Sequence, residues 1–310
     1  PAGFKIASDS GNTVQQGVVI EDVNASTDSA VQGSQFVWIP VGVFIKDGGE
    51  PSNEIVLGRY TFSTSTPGTP TLEQAAYTEE NPENYKNSKV IGPYFDEYSG
   101  AHRDGVASDG LDGLNATAND LGAWIDSVKS NGGYYIGRYE ASFASGTSTA
   151  NYKAATKVST AFSEDSMSYN PGTLWNRITQ LDASKVAINT YEDSGSVKSD
   201  LMNSYAWDTA IVYIQECGKT NYANQDGKSI NSSLTNTGTR QDEVCKINDM
   251  ASNIVEWTTE YSSCTVSSYT HPCTLRGGVC GTSYQYTVYR GVIFATSSDG
   301  YFGFRLSLYM

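Results

Sequence analysis

The residues that could carry chemistry are few and scattered. There are five cysteines, Cys217, Cys245, Cys264, Cys273 and Cys280, and two histidines, His102 and His271. None of the cysteines forms a CxxC pair, which argues against a zinc site. Cys264 and Cys273 flank a short loop of Ser, Thr and Tyr that a disulfide could staple, and Cys217 and Cys245 flank a polar loop of Asn, Gly and Thr that a second could close. Cys280 is then the odd thiol. Acidic pairs such as Glu79-Glu80 and Asp242-Glu243 are neighbours in sequence and read as solvated. A glycosidase needs two carboxylates facing one cleft, which sequence does not place. No GxSxG elbow, P-loop or HExxH occurs. Glu50-Pro51-Ser52 matches a sugar-binding tripeptide of calcium-dependent lectins only in isolation, far from the C-terminus and without a downstream Trp-Asn-Asp. No catalytic residue, metal ligand or cofactor is expected. A structural calcium stays open, because Asn and Asp are frequent in the loops, but no ligand set stands out.

The frame that must position a site is long and acidic. The chain has 310 residues and a net charge of −14, with 21 tyrosines. That length suffices for one large core or two modest ones. The charge repels phosphate backbones and anionic bilayers, so neither nucleic acid nor a membrane surface is an expected partner. No apolar run approaches the roughly 18 residues that span a bilayer. Pro1 in place of Met reads as a mature or trimmed start, and the cysteine content suits an exported, extracellular or cell-surface protein.

Along the chain, residues 1–33 read as an edge hairpin or lead-in segment packed on a main domain at 34–310. Phe36 to Phe44 is the first buried strand, with Pro40 implying an edge position or a bend. Glu54 to Phe62 reads as the next strand, and 63–113 as an irregular excursion with Pro67, Pro70, Pro82 and Pro93. Leu121, Trp124, Ile125 and Val128 recur at helical spacing within a helix over 115–130, capped by Thr117 or Asn119 and stopped by Gly132-Gly133. Tyr134 to Ser142 reads as a central strand. Trp175 to Val186 and Asp200 to Glu216 read as further helices, with a polar loop at 220–240. The Ile254 to Trp257 stretch and the tail from Phe302 read as strands.

Four pieces, in order, resemble formylglycine-generating-enzyme-like domains: Phe36 to Gly42; Tyr135 to Ser142; Leu201 to Asp208; and the trio Asn253-Ile254-Val255-Glu256-Trp257, Arg276-Gly277-Gly278 and Gly303-Phe304-Arg305. The resemblance covers about 34–310. It implies an α+β, C-type-lectin-like fold of that subtype, with long irregular loops and a few helices around small antiparallel sheets. Trp257, Arg276, Gly277, Gly278, Gly303, Phe304 and Arg305 are then scaffold: an indole seeking a partner, glycines for close backbone approach, and an arginine fan that can tie several carbonyls together. The family's oxidase chemistry uses copper between two nearby thiolates, with a histidine after the double glycine. Here that position reads Val279-Cys280-Gly281-Thr282-Ser283-Tyr284, with one cysteine and no histidine.

Between Gly278 and Phe302 lie 23 residues, VCGTSYQYTVYRGVIFATSSDGY. Tyr gives amphipathic contact area with few rotors, and Ser and Gly give an adaptable fit, a composition suited to binding surfaces. Randomising the adenines of an Asn codon reaches every residue type except Gln, Glu, Lys, Met and Trp, and only Gln285 falls outside that set. The combination resembles the variable proteins of bacterial and phage diversity-generating retroelements, whose hypervariable region sits between an Arg-Gly-Gly and a Gly-Phe-Arg. By that resemblance the segment 279–301 is variable, Cys280 is a product of diversification, and Val279, Gly281, Tyr284, Tyr286, Tyr289, Val292, Phe294, Asp299 and Tyr301 include most ligand-facing positions. The partner is then an unidentified protein or surface ligand, and membrane contact comes only through an N-terminal anchor outside this chain, as in a cell-surface subgroup. Two alternatives stand beside it: an oxidase on the same scaffold, and a structural cell-surface subunit without a specific ligand.

Overall fold

Alternation decides which face each strand buries, and here both faces are covered. In the strand Gln35–Pro40, Val37 and Ile39 join one hydrophobic core while Phe36 joins a second; Val19 and Ile20 divide the same way. Successive strand residues point to opposite faces, so a sheet that feeds two cores reads as a nearly continuous apolar run. The structure, a computed structural model, describes residues 1–86, 98–100, 121–160, 170–230, 232–239, 242–262, 265–266, 269–270, 273–283 and 285–310.

That sheet has six strands in the order Phe4–Ile6, Val19–Asp22, Gln35–Pro40, Gly133–Gly137, Leu306–Tyr309 and Lys198–Leu201, all paired antiparallel. The first 33 residues thus supply two of its strands and one of its edges. Pro40 departs from the edge position expected for it, since its strand lies between two others. It is the last residue of that strand, opposite Gly133, and the next pairing is taken by Val41 N donating to Gly132 O at 2.9 Å. The missing N–H therefore falls where the ladder already ends.

A second sheet runs Arg290–Ile293, Cys273–Arg276, Val255–Ser262, Phe302–Phe304, with Tyr98–Gly100 also pairing with the long strand. Val255–Ser262 and Phe302–Phe304 pair in parallel and the other pairs are antiparallel, so the sheet is mixed. Small two-stranded sheets complete an α+β architecture in which strands outnumber helices.

Helix α1 (Leu121–Asn131) buries Leu121, Trp124, Ile125 and Val128, and Trp124 packs 5.0 Å from the Tyr134 ring. The caps expected at Thr117 or Asn119 lie outside the described residues. Helix α2 (Gln180–Thr190) begins five residues later than the Trp175 start expected for it. Thr179 caps it by accepting from Asp182 N, while Leu174 bridges to Ser142 and Arg177 takes a positive φ of 55°. Trp175 instead packs edge-on against Phe143 and Phe304. Helix α3 (Ser204–Glu216), capped by Asn203, is buried from Ser204 through Ile214. A helix buried all round belongs inside a core rather than on its surface. A fourth, one-turn helix α4 spans Gly227–Ile230. Among the described residues, no helix is long and apolar enough to cross a membrane.

Candidate ligand surface

The segment 279–301 leaves the strand Cys273–Arg276 through Gly277 and Gly278. Gly277 has φ +91°, and a Cβ there would stand 3.1 Å from the Trp207 ring; a Cβ on Gly278 would fall 2.0 Å from Ala251 O. Neither position accepts a side chain without moving the backbone, so the chain is pressed against α3 and the 250–251 turn before the segment begins.

Inside the segment, residues divide into a buried floor and an exposed rim. Val279 corrects the expectation of a ligand-facing position: it is buried and packs in the second core, because Gly278 brings the chain hard against Ala251. Cys280 is buried as well, its N–H donating to Asn253 O at 3.2 Å. Gly281, at φ +74°, and Ser283 are exposed. Tyr284 lies outside the described residues. Tyr286 is half-buried and bridges to Asp226, and the buried Thr287 accepts from Trp207 Nε1 at 3.0 Å through its carbonyl. Tyr289 is half-buried against the second core, and its carbonyl accepts from Arg276 Nε at 3.0 Å. The strand Arg290–Ile293 follows, with Val292 half-buried. Phe294 is 36 % exposed and Tyr301 47 % exposed, with Asp299 exposed between them. Ala295 is buried, accepting from Gln180 N, so the exposed run is tied down in its middle. Asp299 is tied at both ends of its residue: its carbonyl accepts from Arg177 N at 3.0 Å and its Oδ1 from Tyr301 N at 3.0 Å.

The floor is fixed by a buried ion cluster that sequence reasoning missed. Arg276 places Nη2 2.5 Å from Asp208 Oδ1 and Nη1 3.0 Å from Glu260 Oε2. Arg290 pairs with the other oxygen of each acid, through Nε to Glu260 Oε1 at 3.1 Å and through Nη2 to Asp208 Oδ2. Arg59 adds a contact to Glu260 at 3.3 Å, and Tyr60 N donates to Asp208 at 2.9 Å. Burial alone would raise the Asp208 pKa, but the Arg276 and Arg290 guanidiniums outweigh it and hold the carboxyl below the usual range. Arg290 is the single cation of the segment, and that isolation among apolar and hydroxyl residues was the available signal. Its partners stand 82 and 30 positions away in the chain, which is why no local pattern reveals them.

The remaining scaffold positions surround a second cluster, rich in acids. Arg305, fully buried, donates to the carbonyls of Gly137 at 2.8 Å and Asn248 at 2.7 Å and pairs with Glu256 at 2.8 Å. Glu140 beside it accepts from Asn253 Nδ2 at 2.6 Å and Ile254 N at 3.1 Å. Burial, then the charges of Asp249 and Glu256, push the Glu140 carboxyl far above its usual range. Burial and the neighbouring Asp249 raise Asp242 to about 7. Trp257 is buried and its indole N–H donates to Ile178 O at 2.8 Å; Phe302 packs edge-on against it. Phe304 is buried in the second core, and a Cβ on Gly303 would meet Trp175 O at 2.7 Å.

Of the cysteines, Cys217 and Cys245 are free thiols that lie near one another beside Tyr213, so the bridge expected there is not formed. The other expected pairing involves Cys264, outside the described residues, as are His102 and His271. Among the described residues, no group of three or more His, Cys, Asp or Glu side chains is arranged to hold a metal ion.

No family model and no curated protein matches the chain. Among solved structures, PvdO from Pseudomonas aeruginosa is 12 % identical and aligns over 58 % of this chain and 81 % of its own, with a TM-score of 0.38. Treponema denticola variable protein 1 is 14 % identical and aligns over 90 % of this chain and 97 % of its own, with a TM-score of 0.34. Both scores lie below the level at which a shared fold follows, so the functional reading rests on the residues themselves.

Proposed function

We propose that the chain is a ligand-binding and display protein: a C-type-lectin-like domain of the formylglycine-generating-enzyme type, diversified over 279–301 in the manner of a retroelement variable protein, and working outside the cell on protein or cell-surface targets. One observation carries the reading. The backbone of the segment is pinned from below at Val279, Thr287, Arg290 and Ala295, while the side chains of Ser283, Phe294, Asp299 and Tyr301 are exposed to solvent. A surface built to vary needs this division, because substitutions at exposed positions cost little while the buried ones hold the shape. The exposed aromatics supply the rigid contact area on which protein recognition concentrates.

The residues speak for binding rather than for oxidation. Copper(I) held by thiolates needs two of them, and the stretch after the double glycine offers Cys280 alone, buried on the floor. No catalytic step is assigned to it. The net charge of −14 favours neutral or basic protein partners over nucleic acid.

The test is a display library of the full chain randomised at Ser283, Phe294, Asp299 and Tyr301, selected against a panel of immobilised proteins. The reading expects folded members that bind distinct targets with dissociation constants in the micromolar range or tighter. A library that folds as well as the parent yet yields no target-specific binder contradicts it.

A further inference from the structure

Cys217 closes helix α3 as its C-cap residue, and its N–H donates to Gln215 O and Tyr213 O. Cys245 stands in a two-residue turn with Lys246, both at positive φ (49° and 65°), closed by paired hydrogen bonds between Val244 and Ile247 at 2.9 and 2.8 Å. Two consecutive left-handed residues form the tight hairpin turn that normally asks for Asn-Gly, so Cys245 holds a place where its backbone is costly. The turn is wedged from outside by Gly17, where a Cβ would fall 2.0 Å from Cys245 O. Both side chains are partly buried against the first core and lie near one another beside the Tyr213 hydroxyl, which itself donates to Val14 O at 2.5 Å.

The span between them is the bed of the variable segment. Thr287 N donates to Gln225 O at 3.1 Å, Lys228 N donates to Thr282 O at 3.2 Å, and Tyr286 bridges to Asp226. A Cβ on Gly227 would fall 2.0 Å from Val279 O. Whatever limits motion of residues 225–228 therefore limits motion of the segment they support.

We infer that Cys217 and Cys245 are a redox modification site, joined by a disulfide in an oxidising environment, and that the bond locks the bed beneath the variable surface. One thiol attacks a small-molecule disulfide and releases one of its halves as a thiol; the second attacks the mixed disulfide and releases the other half. Two S–H bonds break and one S–S bond forms. The two electrons and two protons leave on the released thiols. The consequence for ligand binding rests on the proposed function above, whereas formation of the bond does not. Closing a loop of this length stabilises the folded chain chiefly by restricting the unfolded one.

The experiment treats the full chain with oxidised glutathione at alkaline pH, where exchange is fastest. The neighbouring Cys245 thiol, and then burial, push the Cys217 thiol well above its usual range. Intact mass is read before and after, followed by peptide mapping without reduction. The inference expects a peptide joining Cys217 to Cys245, a melting temperature raised by on the order of 5 °C, and amide exchange slowed at least several-fold at 222–230 and 285–288. The double variant Cys217→Ser/Cys245→Ser should fold yet show neither the rise nor the slowing. Should that variant fail to fold, alkylation of the native wild-type thiols after oxidation gives the same answer. Thiols that both remain alkylatable, or a bond to a different cysteine, overturn the site. A bond that forms without slowing exchange at 285–288 overturns the lock. Neither outcome depends on knowing a ligand.

Discussion

Arg290 and Tyr301 lie eleven positions apart in one segment, and the fold treats them in opposite ways. Arg290 is sunk against Asp208 and Glu260, with its side chain 8 % exposed. Tyr301 is 47 % exposed, yet its carbonyl still accepts a strand hydrogen bond from Val255 N at 2.9 Å. The lesson is that the segment's shape and its surface chemistry are carried by different atoms. Backbone and a few buried side chains set the shape, so the outward side chains are free to change. That separation is what a protein with a changeable recognition face requires, and it can be broken experimentally from either side.

The largest effects are expected on the floor. Arg290→Ala leaves Asp208 and Glu260 each short of a buried partner, and breaking a buried ion pair this way costs about 3–5 kcal/mol. Trp257→Ala removes a buried indole that also satisfies Ile178 O, with a similar cost of about 3–5 kcal/mol. Urea unfolding of both variants checks these values; a loss below about 1 kcal/mol for Arg290→Ala would place that arginine on the rim.

A pH comparison of the two ion clusters gives the next effect. Asp208 has a lowered pKa, so its contribution is present above the ordinary aspartate range and is lost on acidification. Asp242 is raised to about 7, so its protonated form contributes stability that is complete below the ordinary aspartate range and lost as pH rises through 7. Asp249 N and Ser252 Oγ donate to the two different Asp242 oxygens; Asp242→Asn keeps one acceptor, for Asp249 N, and turns an amide donor toward the Ser252 hydroxyl, which can accept, without the charge. Between pH 5 and pH 8 the wild type should lose on the order of 1–3 kcal/mol more than this variant. Equal losses would show that the Asp242 charge is compensated.

The smallest effects belong to the rim. Phe294→Ala and Tyr301→Ala are each expected to cost less than about 1 kcal/mol in stability, in keeping with surface substitutions, while removing binding to any target selected on the parent surface.

Much of the frame was legible because it follows local rules. The Leu121, Trp124, Ile125 and Val128 spacing marks α1, and the apolar run through Phe36, Val37 and Ile39 marks the central sheet. The start of α2 was not legible, since Trp175 and Ile178 mimic a helical stripe while serving separate non-helical contacts upstream of the Thr179 cap. In the site, composition pointed to a surface, and Phe294, Asp299 and Tyr301 lie on it. Val279 was beyond reach and Arg290 showed only as the segment's lone cation, as the burial of both is decided by residues far away in the chain: Ala251 against Gly278 for the first, Asp208 and Glu260 for the second. Burial set by distant partners leaves no periodic trace.

The most direct test of the central claim is a substitution scan of every position from 279 to 301, read as the fraction of each variant that stays folded and protease-resistant. The account predicts broad tolerance at Ser283, Phe294, Asp299 and Tyr301 and intolerance at Val279, Thr287, Arg290 and Ala295. Intolerance spread evenly along the segment, or concentrated at Phe294 and Tyr301, would contradict it.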